Sequence, residues 1–238
     1  LYTFIKEHTR RGQHLDTHPL LVIGIDKYPI PLQKTRATLE AAGIPHVVVR
    51  EDIGDPDSIA QILRRDQDID YRDSLHVRFF LDHNRTYEPP IDMEAASRRP
   101  VMSTIPFMWR GRLIPPNELQ QNLVEHFRKW ARHSKHGIII IELHTVAPEV
   151  AARNIGRAPV TNYYATHAYS DQFPVPVEAL GAAAEEAGLV ADAQFQISLP
   201  RPDFATISVN FFRGGEASGL AAVAGGGTGE QEAGGLDP

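Results

Sequence analysis

The stretch LHVRFFLDHNRTYEPP, Leu75 to Pro90, is dominated by apolar and aromatic residues as far as Leu81 and then breaks into Asp82, His83, Asn84 and Arg85. A short apolar run ended by ligand-type side chains reads as a strand that delivers polar groups to the C-terminal edge of a parallel sheet, where open α/β folds bind their ligands. The flanking sequence extends this pattern. LLVIGID, Leu20 to Asp26, is a continuous apolar run closed by an acid, as expected of a strand buried on both faces. PIPLQKTRATLEAAG then sets Leu32, Leu39 and Ala42 at helical spacing, behind prolines and ahead of Gly43, a good helix stop. HVVVREDIGDPDSIAQILRR repeats the unit, with a strand over His46–Arg50 and a helix over Ser58–Arg65. NELQQNLVEHFRKWARHS reads as a helix leading into HGIIIIELH, the clearest strand of the chain, and VPVEALGAAAEEAGL as another helix.

Alternating strands and helices predict an α/β chain with a Rossmann-like, doubly wound parallel sheet. AQFQISL and FATISVNFF, divided by a Pro-containing turn, predict that the sheet ends in an antiparallel hairpin. One domain is expected over residues 1–213. From 214 to 238 the chain is rich in Gly, Ala and Glu with little to bury, which reads as a linker or tail. The segment from Asn84 to Pro116, with Phe107, Met108 and Trp109, reads as a long loop that covers the sheet or forms a lid.

Composition narrows the partners. A formal charge of -6 and a pI near 6.0 over 238 residues leave no cationic excess for phosphate backbones or anionic lipid, so neither nucleic acid nor a membrane surface is expected. The absence of cysteine excludes disulfides and zinc-thiolate sites, so a metal would need imidazole, carboxylate or amide ligands. Apolar runs such as Gly137–Ile141 are too short to span a bilayer, and no signal peptide is visible, so a cytoplasmic location is expected. The chain opens at Leu1 in a polar, helix-like stretch and is expected to be a piece of something longer.

In a doubly wound nucleotide-binding sheet, an acid at a strand end can take both hydroxyls of a ribose, and Asp26 is so placed. Asp52, just after the next strand, can accept from an adenine amine while Ile53 packs on the ring. Taken alone, each is equally a solvated loop carboxylate.

With these residues in place, LVIGIDKYP, HVVVREDIGDPDSI, LHVRFFLDHNRTYEPP, IIIIELHTV and ATHAYSDQF together resemble class I S-adenosylmethionine-dependent methyltransferases. More narrowly, they resemble the metal-dependent C-methyltransferase domains of apratoxin-type polyketide synthases. The resemblance spans roughly Leu20 to Phe212. It implies that Asp26, Asp52 and Ile53 bind S-adenosylmethionine, and that the acceptor is a malonyl-type thioester on an acyl carrier protein, with neighbouring synthase domains as partners. The family's first strand and Gly-rich turn should lie before Leu20, where only LYTFIKEHTRRGQHLDTHP is found, so an N-terminally truncated domain is expected.

His83 and His144 follow strands that are sheet neighbours in the family's strand order, so both imidazoles are expected at one edge beside the donor. With Gln172 and Asp82 they form the implied ligand set for a divalent Fe or Mn, and His167 or Asp171 can replace Gln172. Both histidines are thereby candidate catalytic residues. Spacing alone leaves open a hydrogen-bonded loop histidine or a metal-free general base. His126 and His133 are expected to be exposed, and Arg85, Tyr87, Tyr163, Tyr164 and Tyr169 to position a substrate or pack at its rim. Other readings of the chain are a non-catalytic synthase domain, a small-molecule O-methyltransferase and a nicotinamide-dependent oxidoreductase.

Overall fold

The computed structural model describes residues 1–103, 105 and 107–214. The tail expected over 214–238 therefore lies, Gly214 apart, outside the described residues. The helix α1 (Tyr2–His8) opens the chain and buries none of its residues. Next come β1 (Val22–Asp26), α2 (Pro29–Ala41), β2 (His46–Arg50) and α3 (Pro56–Gln67). The two strands run parallel with Asp26 opposite Arg50. Both helices begin on proline, which costs nothing where the N–H has no partner, and Asp55 caps α3 by accepting from the Ser58 amide at 3.0 Å.

β3 (His76–Phe79) is followed by α4 (Met93–Arg98), the hairpin β4 (Phe107–Trp109) and β5 (Arg112–Ile114), α5 (Pro116–Ala131) and β6 (Ile138–Leu143). α6 (Pro148–Arg153), α7 (Val160–Tyr169) and α8 (Val177–Glu186) then lead to β7 (Leu189–Arg201) and β8 (Phe204–Gly214). β3 and β6 are parallel neighbours, as expected, and β8 and β7 close the sheet in antiparallel fashion in the order β3-β6-β8-β7.

α5 presents Leu119, Leu123, Phe127 and Trp130 at helical spacing, all buried. They join Ile59 and Leu63 of α3, Leu180 and Ala183 of α8, and Ile138 and Ile140 of β6 in one hydrophobic cluster. At the entry to β6 only glycine fits: Gly137 has φ +95°, and a Cβ there would lie 2.3 Å from the Phe211 ring.

Three expectations need correction. The long loop after β3 contains α4 and a tight hairpin, whose turn residues Arg110 and Gly111 both have positive φ, at 49° and 79°. The segment ATHAYSDQF lies largely on α7 rather than in a loop, because Tyr163, His167 and their neighbours form a regular turn despite modest helix propensity. His126 and His133 are buried: His126 lies on α5, against which α8, α4 and α3 pack, and the His133 ring, just beyond that helix, meets Asp57 of α3 at 2.7 Å.

The sheet is also interrupted. Among the described residues β1–β2 and β3-β6-β8-β7 are separate sheets, so β1 and β3 each keep one unpaired edge. Their C-terminal ends still lie together: Lys27 Nζ donates to Thr86 Oγ1 at 2.9 Å, and Thr86 donates on to Asp52 at 3.1 Å. The core unites the two sheets on one side, where Val49 of β2 belongs to the same cluster as Ile138 and Ile140. The opposite face of β3 leaves Val77 and Phe79 uncovered, 44% and 59% exposed.

His76 makes this core acid-sensitive. Its Nε2 lies 2.8 Å from the His133 carbonyl, and its ring meets Tyr71 and Trp130 edge-on. Burial pushes its pKa down from 6.5 to about 4, against the pull of that carbonyl. The folded state therefore holds this ring neutral where the unfolded chain takes up a proton. Stability should be flat above pH 6.5 and fall as the pH drops towards 4, by up to about 3 kcal/mol from this residue. Urea unfolding at stepped pH should show this loss, and His76→Gln should remove its share of the slope.

Candidate functional site

The break after β3 begins at Phe80, whose amide makes the last ladder bond to Ile141 at 2.8 Å and whose φ of 56° turns the chain off the sheet. A left-handed conformation is unfavourable for a bulky aromatic residue, and it aims the following residues inward. Asp82 then lies 2.9 Å from Arg78 Nη1 and 3.1 Å from His126 Nε2, with all three side chains buried. Arg78 also stands over the Trp130 ring, 4.6 Å from its centroid. Burial alone would raise the Asp82 carboxyl, but Arg78 and His126 hold it below its ordinary range. For His126, burial prevails over Asp82 and pushes the pKa down to about 4. With its proton on Nε2 it donates to Asp82, and the same nitrogen lies 3.0 Å from Arg78 Nη1. Arg85 donates to Asn122 Oδ1 from Nε at 2.8 Å and to the Asp82 carbonyl at 2.5 Å. Asp82 and Arg85 thus fasten the strand end to α5, and neither reaches outward.

His83 is placed differently. Strict alternation along β6 puts Glu142 on the buried face with Ile138 and Ile140, 1% exposed. Its oxygens accept from the His83 amide at 3.0 Å, His83 Nδ1 at 2.5 Å and the Leu143 amide at 2.7 Å. A carboxylate so bonded requires a proton on Nδ1, and Nε2 of His83 has no hydrogen bond among the described residues. The His83 carbonyl accepts from the Phe173 amide at 2.7 Å, which ties the residue to the segment after α7. The His167 ring stands 5.4 Å from that of His83, and Tyr163, one helical turn before His167, packs on it at 4.2 Å.

His144, two residues beyond Glu142 on the same face, is fully buried. Its Nδ1 donates to the Val175 carbonyl at 2.9 Å and its Nε2 accepts from Ser208 Oγ at 2.6 Å. Burial lowers its pKa. Both ring nitrogens are therefore occupied. Gln172 donates its backbone amide to the His167 carbonyl at 2.9 Å, and its carboxamide has no described partner. The expected ligand set His83, His144, Gln172 and Asp82 does not fit a divalent metal as placed, because His144 and Asp82 are committed to other groups. Among the described residues no group of three or more His, Asp or Glu side chains is arranged to hold one.

At the donor side, Asp26 accepts from the Tyr28 amide at 2.8 Å through one oxygen, and its other oxygen has no described partner. Asp52 is more engaged, accepting from the Gly54 amide at 2.7 Å and from Thr86, with Lys27 at 3.7 Å. Ile53 packs partly into the core and its carbonyl accepts from Trp130 Nε1 at 2.9 Å. The tyrosines divide as well. Tyr87 donates to Glu118, Tyr164 is hydrogen-bonded to both the amide and the carbonyl of Val146, and Tyr169 is exposed. Asp171 accepts from the Arg110 amide at 3.1 Å. Glu142 is the site residue that sequence reasoning missed, although its position on the buried parity of IIIIEL was a readable signal.

The Asp82 ion pair yields a stability test. Asp82→Ala would leave Arg78 as an unpaired buried cation, so a loss of about 3–5 kcal/mol is expected in urea unfolding. A loss below 1 kcal/mol, roughly the worth of an exposed pair, would contradict the buried geometry.

The sequence pattern of the AprA MT2-like domain family matches residues 1–210. The chain belongs to that family, whose members are class I S-adenosylmethionine-dependent methyltransferases. No curated protein matches it. Among solved structures, the S-adenosylmethionine-dependent methyltransferase SibL in its apo form is similar, at 12% identity and a TM-score of 0.41, over 85% of this chain and 46% of that one. The chain thus spans about half the length of that protein, and a likeness of this size carries no weight for function.

Proposed function

We propose that this member of the AprA MT2-like family moves a methyl group from S-adenosylmethionine to a carbon acid, with His83 as the base. The observation that carries this reading is the Glu142–His83 pair, in which a carboxylate fixes Nδ1–H and leaves Nε2 as the acceptor of a proton. A carbon flanked by a carbonyl must lose a proton before it can attack the sulfonium methyl. A base oriented by a second group answers that need. The acceptor we propose is a malonyl-type thioester on an acyl carrier protein, within a synthase of the cell interior. Its support is the family likeness.

The free oxygen of Asp26, at the end of β1, supports a donor ribose there. Among the described residues β1 and β3 each keep an unpaired edge, which interrupts the sheet on this side. The same interruption favours a second reading, a non-catalytic domain that serves a synthase as a structural or docking element.

Donor binding separates the two. Asp26→Ala should weaken S-adenosylmethionine binding by about 1.5–3 kcal/mol in calorimetry, the range for hydrogen bonds to a charged group. A parent protein that binds no donor would favour the docking role. His83→Ala and Glu142→Gln should each lower methyl transfer by about 10²–10⁴-fold while leaving donor affinity in place. Transfer at the parent rate in His83→Ala would remove the base from the mechanism.

A further inference from the structure

Tyr163 has no structural employment for its hydroxyl. The oxygen is out of contact with water and has no hydrogen-bond partner, whereas the adjacent Tyr164 hydroxyl is bonded twice to Val146. A buried hydroxyl left unpaired is a cost that a folded protein rarely retains without use. Its surroundings indicate the use. The ring packs on His167 at 4.2 Å, and His167 in turn stands 5.4 Å from His83. Tyr163 and His167 lie one turn apart on α7, and the His167 Nδ1 donates to the Tyr163 carbonyl at 2.6 Å, which fixes the pair. Burial and then the Glu142 charge raise the phenol above its ordinary pKa, so it stays a neutral donor throughout the working range. It also sits within the electrostatic reach of the carboxylate that orients His83.

We infer that Tyr163 is a catalytic residue whose O–H donates to the carbonyl oxygen of the acceptor, which commits the site to carbon acids activated by a carbonyl. The inference rests on the methyl-transfer reading above. In the step it serves, His83 Nε2 takes the proton from the carbon beside the carbonyl. The C–H electron pair moves into the C–C bond, and the carbonyl π pair moves onto the oxygen held by Tyr163. The enolate carbon then attacks the sulfonium methyl, the S–CH₃ bond breaks, and its electron pair stays on sulfur as the neutral thioether. A hydroxyl donor aimed at the developing negative oxygen is the kind of group whose removal costs most in such reactions.

The test separates proton removal from methyl transfer. The full chain is incubated in D₂O with malonyl N-acetylcysteamine thioester and no methyl donor, and exchange at the α-carbon is followed by NMR. The parent should accelerate exchange, and Tyr163→Phe should lower that rate by about 100-fold, as for loss of one oxyanion donor. Donor affinity in Tyr163→Phe should match the parent, and its thermal midpoint should be no lower, because the lost hydroxyl had no protein partner. Exchange in Tyr163→Phe within twofold of the parent overturns the proposal. So does a parent that methylates a catechol oxygen but exchanges no α-proton, an outcome that leaves methyl transfer itself standing. A parent that neither binds S-adenosylmethionine nor exchanges overturns both readings, and calorimetry shows which failure has occurred.

Discussion

Glu142 is a carboxylate that strand alternation forces onto the buried face of β6. A charge in that position is tolerable only with hydrogen-bond donors close by, and the His83 amide, the His83 ring and the Leu143 amide supply three. Much of the site's geometry follows from this need. The chain must leave β3 sharply enough to bring His83 over the end of β6, and the left-handed Phe80 makes that turn. Once turned, it needs an anchor, which Asp82 provides through Arg78 and His126 and Arg85 through Asn122. The polar run DHNR therefore serves two ends. Its first and last members hold the strand end to α5, and the His83 ring between them is bound to Glu142 through Nδ1 alone.

The fold was legible where side-chain period and strand ends spoke together. Ile138 to Leu143, Val22 to Asp26 and His46 to Arg50 formed the parallel strands that their apolar runs predicted, and the antiparallel ending appeared as expected. Legibility failed where local signals were weak or where placement depended on distant contacts. Nothing in the propensity of Thr161, Asn162 or Thr166 announces a helix, and α7 forms against that prior. The burial of His126 depends on Asp82, 44 residues away in sequence, and its exposure could not be read from α5 alone. The division of the strands between a parallel β1–β2 pair and a mixed four-stranded sheet could not be foreseen from the strands one at a time, and β4 and β5 lay inside the expected loop.

The interruption between β1 and β3 has a physical consequence for the molecule's character. Two unpaired edges and the exposed Val77 and Phe79 leave backbone donors and apolar surface in water on one side of a core that is closed on the other. The tie from Lys27 through Thr86 to Asp52 lies at the surface and is worth little by itself. The β1–β2 unit is held mainly through its contribution to the shared core, by Val49, Ile59 and Leu63. The cluster of His83, Glu142 and His167, by contrast, is carried by the segment after β3, by β6 and by α7, away from the unpaired edge of β1. The interruption thus bears on the surroundings of Asp26 far more than on the Glu142–His83 pair.

His83 and His144 show how little residue type decides on its own. Both follow an apolar strand at the same edge of the same sheet, and their sequence contexts suggested one shared role. What separates them is the saturation of their nitrogens. His144 lies beneath β8 and the segment before α8, where Ser208 and the Val175 carbonyl take both nitrogens, so the ring is a buried strut with no nitrogen left free. His83 lies above Glu142, where the carboxylate and the backbone geometry use Nδ1 alone. Freedom of one nitrogen, set by the neighbours and not by the strand end, is what distinguishes His83 from His144.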